Sequence, residues 1–184
     1  MKDLSILPGN LPVPEDDGAC DHLKGMRVPS ASLGSASGTT VDISACDGVV
    51  VIYCYPMIGR PDSPPLVGWN DIPGARGCTP QSCAFRDHYA ELAYTGARVY
   101  GVSAQPLADQ AEARSRLELP FDLLNDSEFV LTEALRLPTF QYEGNRLIKR
   151  LTLVVADGVI KKVFYPVFPP DRNAEAVLEW LKQH

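Results

Sequence analysis

Residues 49–56 read VVVIYCYP, and residues 74–87 read GARGCTPQSCAFRD. The first stretch is an unbroken β-branched and aromatic run, which is typical of a strand buried at the centre of a sheet. The second stretch leaves a glycine-containing loop at Cys78 and is helix-forming from there, with one apolar face. Together they predict a buried strand, a loop, and a helix over residues 79–94, which is the beginning of an α/β arrangement.

The loop between these stretches is long. Residues 56–77 contain five prolines and four glycines, a composition that no regular element tolerates. Loops of such length in compact domains are usually functional or disordered. We therefore predict an inserted loop at about residues 57–73, in which Trp69 either covers the functional site or anchors its own loop.

The remaining chain alternates between strand-like and helix-like segments. We predict strands at 97–103 and 121–124, helices at 107–117, 128–136 and 174–182, and a hairpin of residues 151–156 and 159–165 around an Asp-Gly turn. This order describes a central mixed β-sheet with helices on both faces. Residues 1–37 are expected to form an extended N-terminal arm, and residues 38–184 a single domain whose first strand lies near residues 39–43.

Composition excludes several classes of protein. A chain of 184 residues suits one domain. A net charge of -6 argues against nucleic acid as a partner, and no apolar run is long enough to cross a membrane. The N-terminus lacks the layout of a secretory signal, so we expect a cytoplasmic protein. Five cysteines, an odd number, do not suggest a disulfide framework, so one or two of them are candidates for chemistry.

Cys78 is the first candidate. It stands where a loop becomes a helix, and the free amides and dipole of a first helical turn stabilise negative charge. They favour the thiolate, which is the nucleophilic form of cysteine, and Arg76 and Arg86 are near enough in sequence to add to this effect. The alternative is a small buried cysteine at a helix start.

Cys83 is the second candidate. Five residues apart on one helix, two Cα atoms are separated by about 8–9 Å, whereas a disulfide needs less than about 7 Å. Cys78 and Cys83 therefore bond only if the first turns unwind, which suits a cysteine that is oxidised first and then resolved by a partner. The alternative for Cys83 is core packing on the buried face of the helix.

These segments resemble the peroxiredoxin family, and most closely its bacterioferritin comigratory protein, or peroxiredoxin Q, group. The similar stretches occur in the family's order along the chain: YCYP at 53–56, GCTPQSCAFRD at 77–87, YGVS at 100–103, LPFDLLND at 119–126 and RLTLVVADG at 150–158. Together they extend the resemblance from about residue 38 to the C-terminus. The resemblance implies a thioredoxin-like fold.

The resemblance also implies catalytic roles. Cys78 would be the peroxidatic cysteine, Cys83 the resolving cysteine, and Arg150 a cation beside the Cys78 sulfur. An arginine there would keep the thiolate charged and donate to the peroxide oxygens as negative charge moves onto the leaving one. The alternative for Arg150 is a strand-edge cation in a surface ion pair.

One departure from the family stands out. The family pattern is Pro-x-x-x-Thr-x-x-Cys, whose threonine hydroxyl bonds the thiolate and the peroxide, but Ala75 occupies the threonine place here. Thr79 or Arg76 would have to supply the missing donor. With Gly77, they are the candidate substrate-binding residues.

Other residues have simpler interpretations. Cys54 lies in the predicted central strand and is interpreted as core packing. Cys20 and Cys46 are left as free thiols. Cys78, Cys83 and His88 do not have a zinc spacing and lack a fourth ligand, so we predict no metal site.

The resulting hypothesis is a thiol-dependent peroxidase for hydrogen peroxide and organic hydroperoxides. It acts through a sulfenic acid and an intramolecular disulfide that thioredoxin or a glutaredoxin reduces, as a monomer or weak homodimer, without metal, flavin or haem. The alternative is a thioredoxin-fold redox sensor or binding protein with little turnover.

Overall fold

The computed structural model describes residues 4–64 and 66–184. Its main feature is a seven-stranded sheet with the order β2-β1-β5-β4-β3-β8-β9, and β6 and β7 form a separate two-stranded ribbon. The strands are β1 Ser32–Ser35, β2 Thr40–Asp42, β3 Val49–Cys54, β4 Ala97–Ser103, β5 Asp122–Asn125, β6 Thr139–Tyr142, β7 Asn145–Ile148, β8 Leu151–Ala156 and β9 Val159–Phe164. The central strand β3 pairs parallel with β4 and antiparallel with β8, so the sheet is mixed.

Helices cover both faces of this sheet. They are α1 Cys78–Asp87, α2 Tyr89–Tyr94, α3 Leu107–Arg116, α4 Val130–Leu135 and α5 Asn173–Gln183. Along β3, Val51 and Tyr53 pack in one core cluster with residues of α1, α2, α3 and α5. Val50 and Ile52 belong to a second cluster, with α4 and the segment before β3. The predicted α/β fold, with a mixed sheet between helices, is confirmed.

The structure corrects some predicted boundaries. The helix expected over 79–94 is divided at His88, whose backbone (φ -94°, ψ 5°) leaves the helical region. The β1–β2 hairpin lies across residue 37, so residues 32–35 of the expected arm are part of the sheet. Residues 69–71 of the inserted loop form a short 3₁₀ turn. No helix of the described residues is long and apolar enough to span a bilayer.

Candidate active site

Cys78 is the first residue of α1 and is almost completely buried, with 3% of its surface exposed. The residue before it, Gly77, has a φ of +108°, in the left-handed region. A Cβ at this position would lie 2.3 Å from Cγ of Pro170 and 2.9 Å from Cδ2 of Leu7. Glycine is therefore required on both conformational and steric grounds. The turn presents α1 without a side-chain N-cap, so its first amides are free to stabilise charge at Cys78.

Arg150, which immediately precedes β8, lies beside the cysteine. Its Nη2 donates to Sγ of Cys78 at 3.1 Å and to the carbonyl oxygens of Ala75 at 3.1 Å and Arg76 at 3.3 Å. Its Nε donates to the carbonyl oxygen of Gly74 at 3.2 Å. The guanidinium is thus fixed by the loop that leads to α1, and this loop holds it against the sulfur.

The electrostatic environment of Arg150 is unusual. The side chain is buried, at 3% exposure, yet none of the ion pairs found in residues 4–64 and 66–184 includes it. Carbonyl and amide oxygens satisfy its N–H groups without cancelling its charge. A buried cation favours an anion nearby. The Cys78 thiolate is the group in position to provide one.

Sequence reasoning missed the network behind Arg150. Nη1 of Arg150 donates to Oε1 of Gln81, and Nε2 of Gln81 donates to Oδ1 of Asn173 at 2.9 Å. The hydroxyl of Thr152 donates to the same Asn173 oxygen at 2.7 Å. Gln81 is fully buried on the first turns of α1, and Asn173 begins α5. A buried glutamine in a helix start was the one available signal, because its partners are far away in sequence.

Cys83 lies five residues after Cys78 on the same unbroken helix, so the two Cα atoms are about 8–9 Å apart. Both cysteines are free thiols. Cys83 is half-buried, and burial raises the pKa of its thiol, although the nearby Arg86 opposes this shift. In this conformation, Cys83 is too far from Cys78 to bond with it. Their bonding requires the start of α1 to unwind.

A cavity of about 640 Å³ opens over Cys78. Thr79, Arg76 and Gly77 line it, so the structure brings the predicted substrate-binding residues together at the sulfur. Ala75, in the place of the family threonine, is buried and offers its carbonyl oxygen to Cys78 and Arg150. Within the described residues the Thr79 hydroxyl has no hydrogen-bond partner, which leaves it available as a donor.

Residues outside this site have structural roles. Cys54 is fully buried in β3, and burial strongly raises the pKa of its thiol. Burial also raises the pKa of Cys20 to about 12. Trp69 stacks edge-on against Tyr142 of β6, with ring centroids 4.8 Å apart, and also lines the Cys78 cavity. It therefore anchors the inserted loop and forms part of the cavity wall. The described residues contain no group of three potential metal ligands.

The site thus combines a cysteine at the start of a helix with a buried arginine beside its sulfur, on a thioredoxin-like sheet. This combination is typical of thiol-dependent redox proteins. The sequence profile of the Redoxin family matches residues 23–178, and the chain belongs to this family.

Relatives narrow the assignment to one group of the family. The chain is 30% identical over 161 residues to chloroplastic peroxiredoxin Q of Populus jackii, an alignment that covers 86% of this chain and 68% of the relative. It is also 30% identical over 161 residues to chloroplastic peroxiredoxin Q of Oryza sativa subsp. japonica, of which it covers 66%. The predicted resemblance to the peroxiredoxin Q group is confirmed.

A solved structure agrees with this grouping. Peroxidoxin BcpB from Mycobacterium tuberculosis superimposes with a TM-score of 0.72 at 27% identity, covering 88% of this chain and 98% of that one.

Proposed function

We propose that the protein is a thiol-dependent peroxidase for hydrogen peroxide and organic hydroperoxides. The observation that carries this proposal is the 3.1 Å contact between Nη2 of Arg150 and Sγ of Cys78, a residue that lines the cavity. This arrangement pairs a nucleophile with a fixed donor for the charge that develops during its reaction.

The first step is an attack by the Cys78 thiolate on one peroxide oxygen. The S–O bond forms as the O–O bond breaks, and the leaving oxygen takes a proton to become water or an alcohol. Cys78 is then a sulfenic acid, oxidised by two electrons. Arg150 stabilises the charge that passes from the sulfur to the leaving oxygen.

The second step is the condensation of Cys83 with the sulfenic acid, which releases water and forms a disulfide. It follows unwinding of the first turns of α1, because the helical spacing is too long for the bond. An external dithiol of the thioredoxin or glutaredoxin type then reduces the disulfide, and is itself oxidised to a disulfide.

Thr79 takes the part of the absent family threonine in this proposal. Thr79 follows Cys78 in the chain and lines the same cavity. We expect Thr79→Val to slow Cys78 oxidation at least tenfold, by loss of a donor to the peroxide. The matched control is Thr95→Val, whose hydroxyl donates to the Leu92 carbonyl oxygen, away from the site. Equal rates in the two variants, measured by stopped-flow oxidation, would remove Thr79 from the mechanism.

One observation supports a second candidate function, a redox sensor with little turnover. Ala75 offers the peroxide no hydroxyl where the family places one. A sensor is oxidised once and waits, whereas an enzyme consumes many equivalents of peroxide with a thioredoxin system. Steady-state peroxide consumption per Cys78 therefore separates the two functions.

Location and assembly are parts of the same proposal. All five cysteines are free, which fits the reducing cytoplasm. We expect a monomer or weak homodimer there, and sedimentation over a range of concentrations tests this state. Labelling of the protein in cells tests the location.

A further inference from the structure

The Arg150 guanidinium is held from two sides. On one side, its Nε and Nη2 donate to carbonyl oxygens of the loop at residues 74–76. On the other side, its Nη1 donates to Oε1 of Gln81, which is fully buried on α1. A guanidinium offers only N–H donors, so the Gln81 atom that faces it has to be the carbonyl oxygen. The second hold on Arg150 therefore depends on which way the Gln81 amide is turned.

Asn173 provides the acceptor for the other end of that amide. When Oε1 of Gln81 faces Arg150, Nε2 of Gln81 points away from it and is buried, where a donor without a partner is costly. Oδ1 of Asn173 accepts from this nitrogen at 2.9 Å. The opposite orientation of the Gln81 amide would place N–H groups against Arg150 and an oxygen against Oδ1 of Asn173. Two repulsive contacts would then replace two hydrogen bonds.

The Asn173 side chain is itself fixed. The hydroxyl of Thr152, two residues after Arg150 in β8, donates to the same Oδ1 at 2.7 Å, and Asn173 is 4% exposed. Three residues before Asn173, Pro170 lies directly against Gly77 at the start of α1. The beginning of α5 thus gives the Gln81 amide a rigid reference, joined both to the sheet and to α1.

We propose that Asn173 is a positioning residue for Arg150 and acts through the orientation of the Gln81 amide. The inference rests on the proposed function, in which Arg150 stabilises the charge that leaves the Cys78 sulfur. In the described part of the chain, the side-chain hydrogen bonds of Asn173 go to Gln81 and Thr152. Its effect on the sulfur is therefore transmitted by Gln81.

The test measures the pH dependence of Cys78 alkylation by iodoacetamide and the rate constant of Cys78 oxidation by hydrogen peroxide. Mass spectrometry of the Cys78 peptide separates it from the other four of the five cysteines. In Asn173→Ala, alkylation should move to higher pH, and oxidation should slow by about tenfold, the effect of weakening one hydrogen bond to a charged group. Thr152→Val should give a smaller shift in the same direction, because the Asn173 amide keeps its oxygen but loses the donor that fixes it.

A double-mutant cycle assigns the effect to Gln81. Leucine is similar in size to glutamine but cannot accept from Arg150, so in Gln81→Leu there is no amide for Asn173 to orient. Adding Asn173→Ala to this variant should cause no further shift of the alkylation profile, although each single variant shifts it.

The control for lost stability is Thr132→Val. Thr132 is buried in α4, and its hydroxyl donates to Oδ2 of Asp126 at 2.6 Å, away from the site. This variant should lower the free energy of unfolding and keep the wild-type pH dependence of alkylation. A shift equal to that of Asn173→Ala would mean that lost stability alone moves the profile, and would overturn the inference.

Two further results would overturn it: an unchanged profile in Asn173→Ala, or the same shift on adding Asn173→Ala to Gln81→Leu. Should Asn173→Ala fail to fold, Thr152→Val decides, since valine has nearly the shape of threonine and suits a strand. Failure of the proposed function looks different, because Cys78 would then not react with peroxide while its alkylation would still report the effect of Asn173.

Discussion

Cys54 and Cys78 are both almost completely buried, at 0% and 3% exposure, yet their surroundings differ. Cys54 lies in an apolar cluster at the end of β3, where burial raises the pKa of its thiol. Cys78 lies at a helix start, with a guanidinium 3.1 Å from its sulfur and a cavity above it. Burial alone disfavours the thiolate of a cysteine, whereas a fixed cation beside the sulfur favours it.

The same contrast extends to the segments that hold the two cysteines. In β3, the buried side chains pack against apolar neighbours on both faces. The start of α1 is equally buried, but Thr79, Gln81 and Ser82 are polar. Ser82, for example, is held by a 3.0 Å hydrogen bond to the Tyr53 hydroxyl. Water can satisfy such groups when the segment opens, so we expect opening to cost less free energy at the start of α1 than in β3.

The largest expected effect separates the two cysteines directly. Cys78→Ser should abolish peroxide reduction, because a hydroxyl is not ionised at neutral pH. Cys54→Ala should retain it and lower the free energy of unfolding by about 1 kcal/mol. Peroxide consumption and denaturant unfolding measure the two outcomes. Full activity in Cys78→Ser would end the assignment.

The variant Cys83→Ser tests whether the two cysteines of α1 have different roles. It should allow one equivalent of peroxide to oxidise Cys78 and should stop there, because no intramolecular thiol remains to resolve the sulfenic acid. Mass spectrometry after peroxide treatment checks this outcome. In the wild-type protein, the absence of a Cys78–Cys83 disulfide would contradict the two-cysteine mechanism.

The next largest effect is expected from removing the cation of Arg150. Arg150→Met should slow Cys78 oxidation by about 100-fold, the usual effect of losing a fixed donor to a developing charge. It should also move the alkylation of Cys78 to higher pH. The control is Lys149→Met, which removes the neighbouring cation, a surface residue paired with Asp17. An unchanged pH dependence of alkylation in Arg150→Met would count against the role of Arg150.

Removing a side-chain hydrogen bond of α1 should have a smaller effect, a several-fold change in the rate of disulfide formation. Gln81→Ala frees the helix start from Asn173, so the step that forms the disulfide should become faster, while the free energy of unfolding falls by about 1–3 kcal/mol. Gln110→Ala is matched to it: this glutamine is also fully buried, and donates to Ser103 and to the Leu124 carbonyl oxygen. It should destabilise similarly and leave that step unchanged. The same rate in both variants would mean that Gln81 does not restrain unwinding.

The smallest expected effect is a difference in amide hydrogen exchange between the start of α1 and β3. Formation of the disulfide should speed exchange over residues 75–86, because opening frees backbone amides there. Residues 49–55 should stay protected, since β3 is paired on both sides. Faster exchange throughout the sheet would show that oxidation loosens the whole domain rather than the helix start.

The parts of the fold that could be predicted from the sequence are those whose signal lies within a few neighbouring residues. The apolar run of β3 and the Asp-Gly turn between β8 and β9 were recognised because each signal lies within a few residues. The β6–β7 hairpin was missed, although a glycine, Gly144, stands in its turn, because its strands are short and mix polar with apolar residues. Cys78 was found from its helix start.

The partners of this site were harder to predict. Arg150 was implied by resemblance alone, while Gln81 and Asn173 were not found. Residues 4–8 form part of the cavity wall although they are about 70 residues from Cys78 in sequence. Hydrophobic periodicity describes single helices and strands, so it does not predict such a contact.

Arg150 is a buried cation without a carboxylate partner among residues 4–64 and 66–184, and this affects the reduction potential expected for the site. A Cys78 thiolate would balance this charge in the reduced protein, whereas the proposed disulfide would carry no charge to balance it. A protein that stabilises its reduced form in this way makes its disulfide a stronger oxidant, and each tenfold change in that equilibrium is worth about 30 mV. Redox titration against glutathione should therefore give Arg150→Met a more negative reduction potential. The charge that activates the cysteine would also make its disulfide easier for a reductant to reopen.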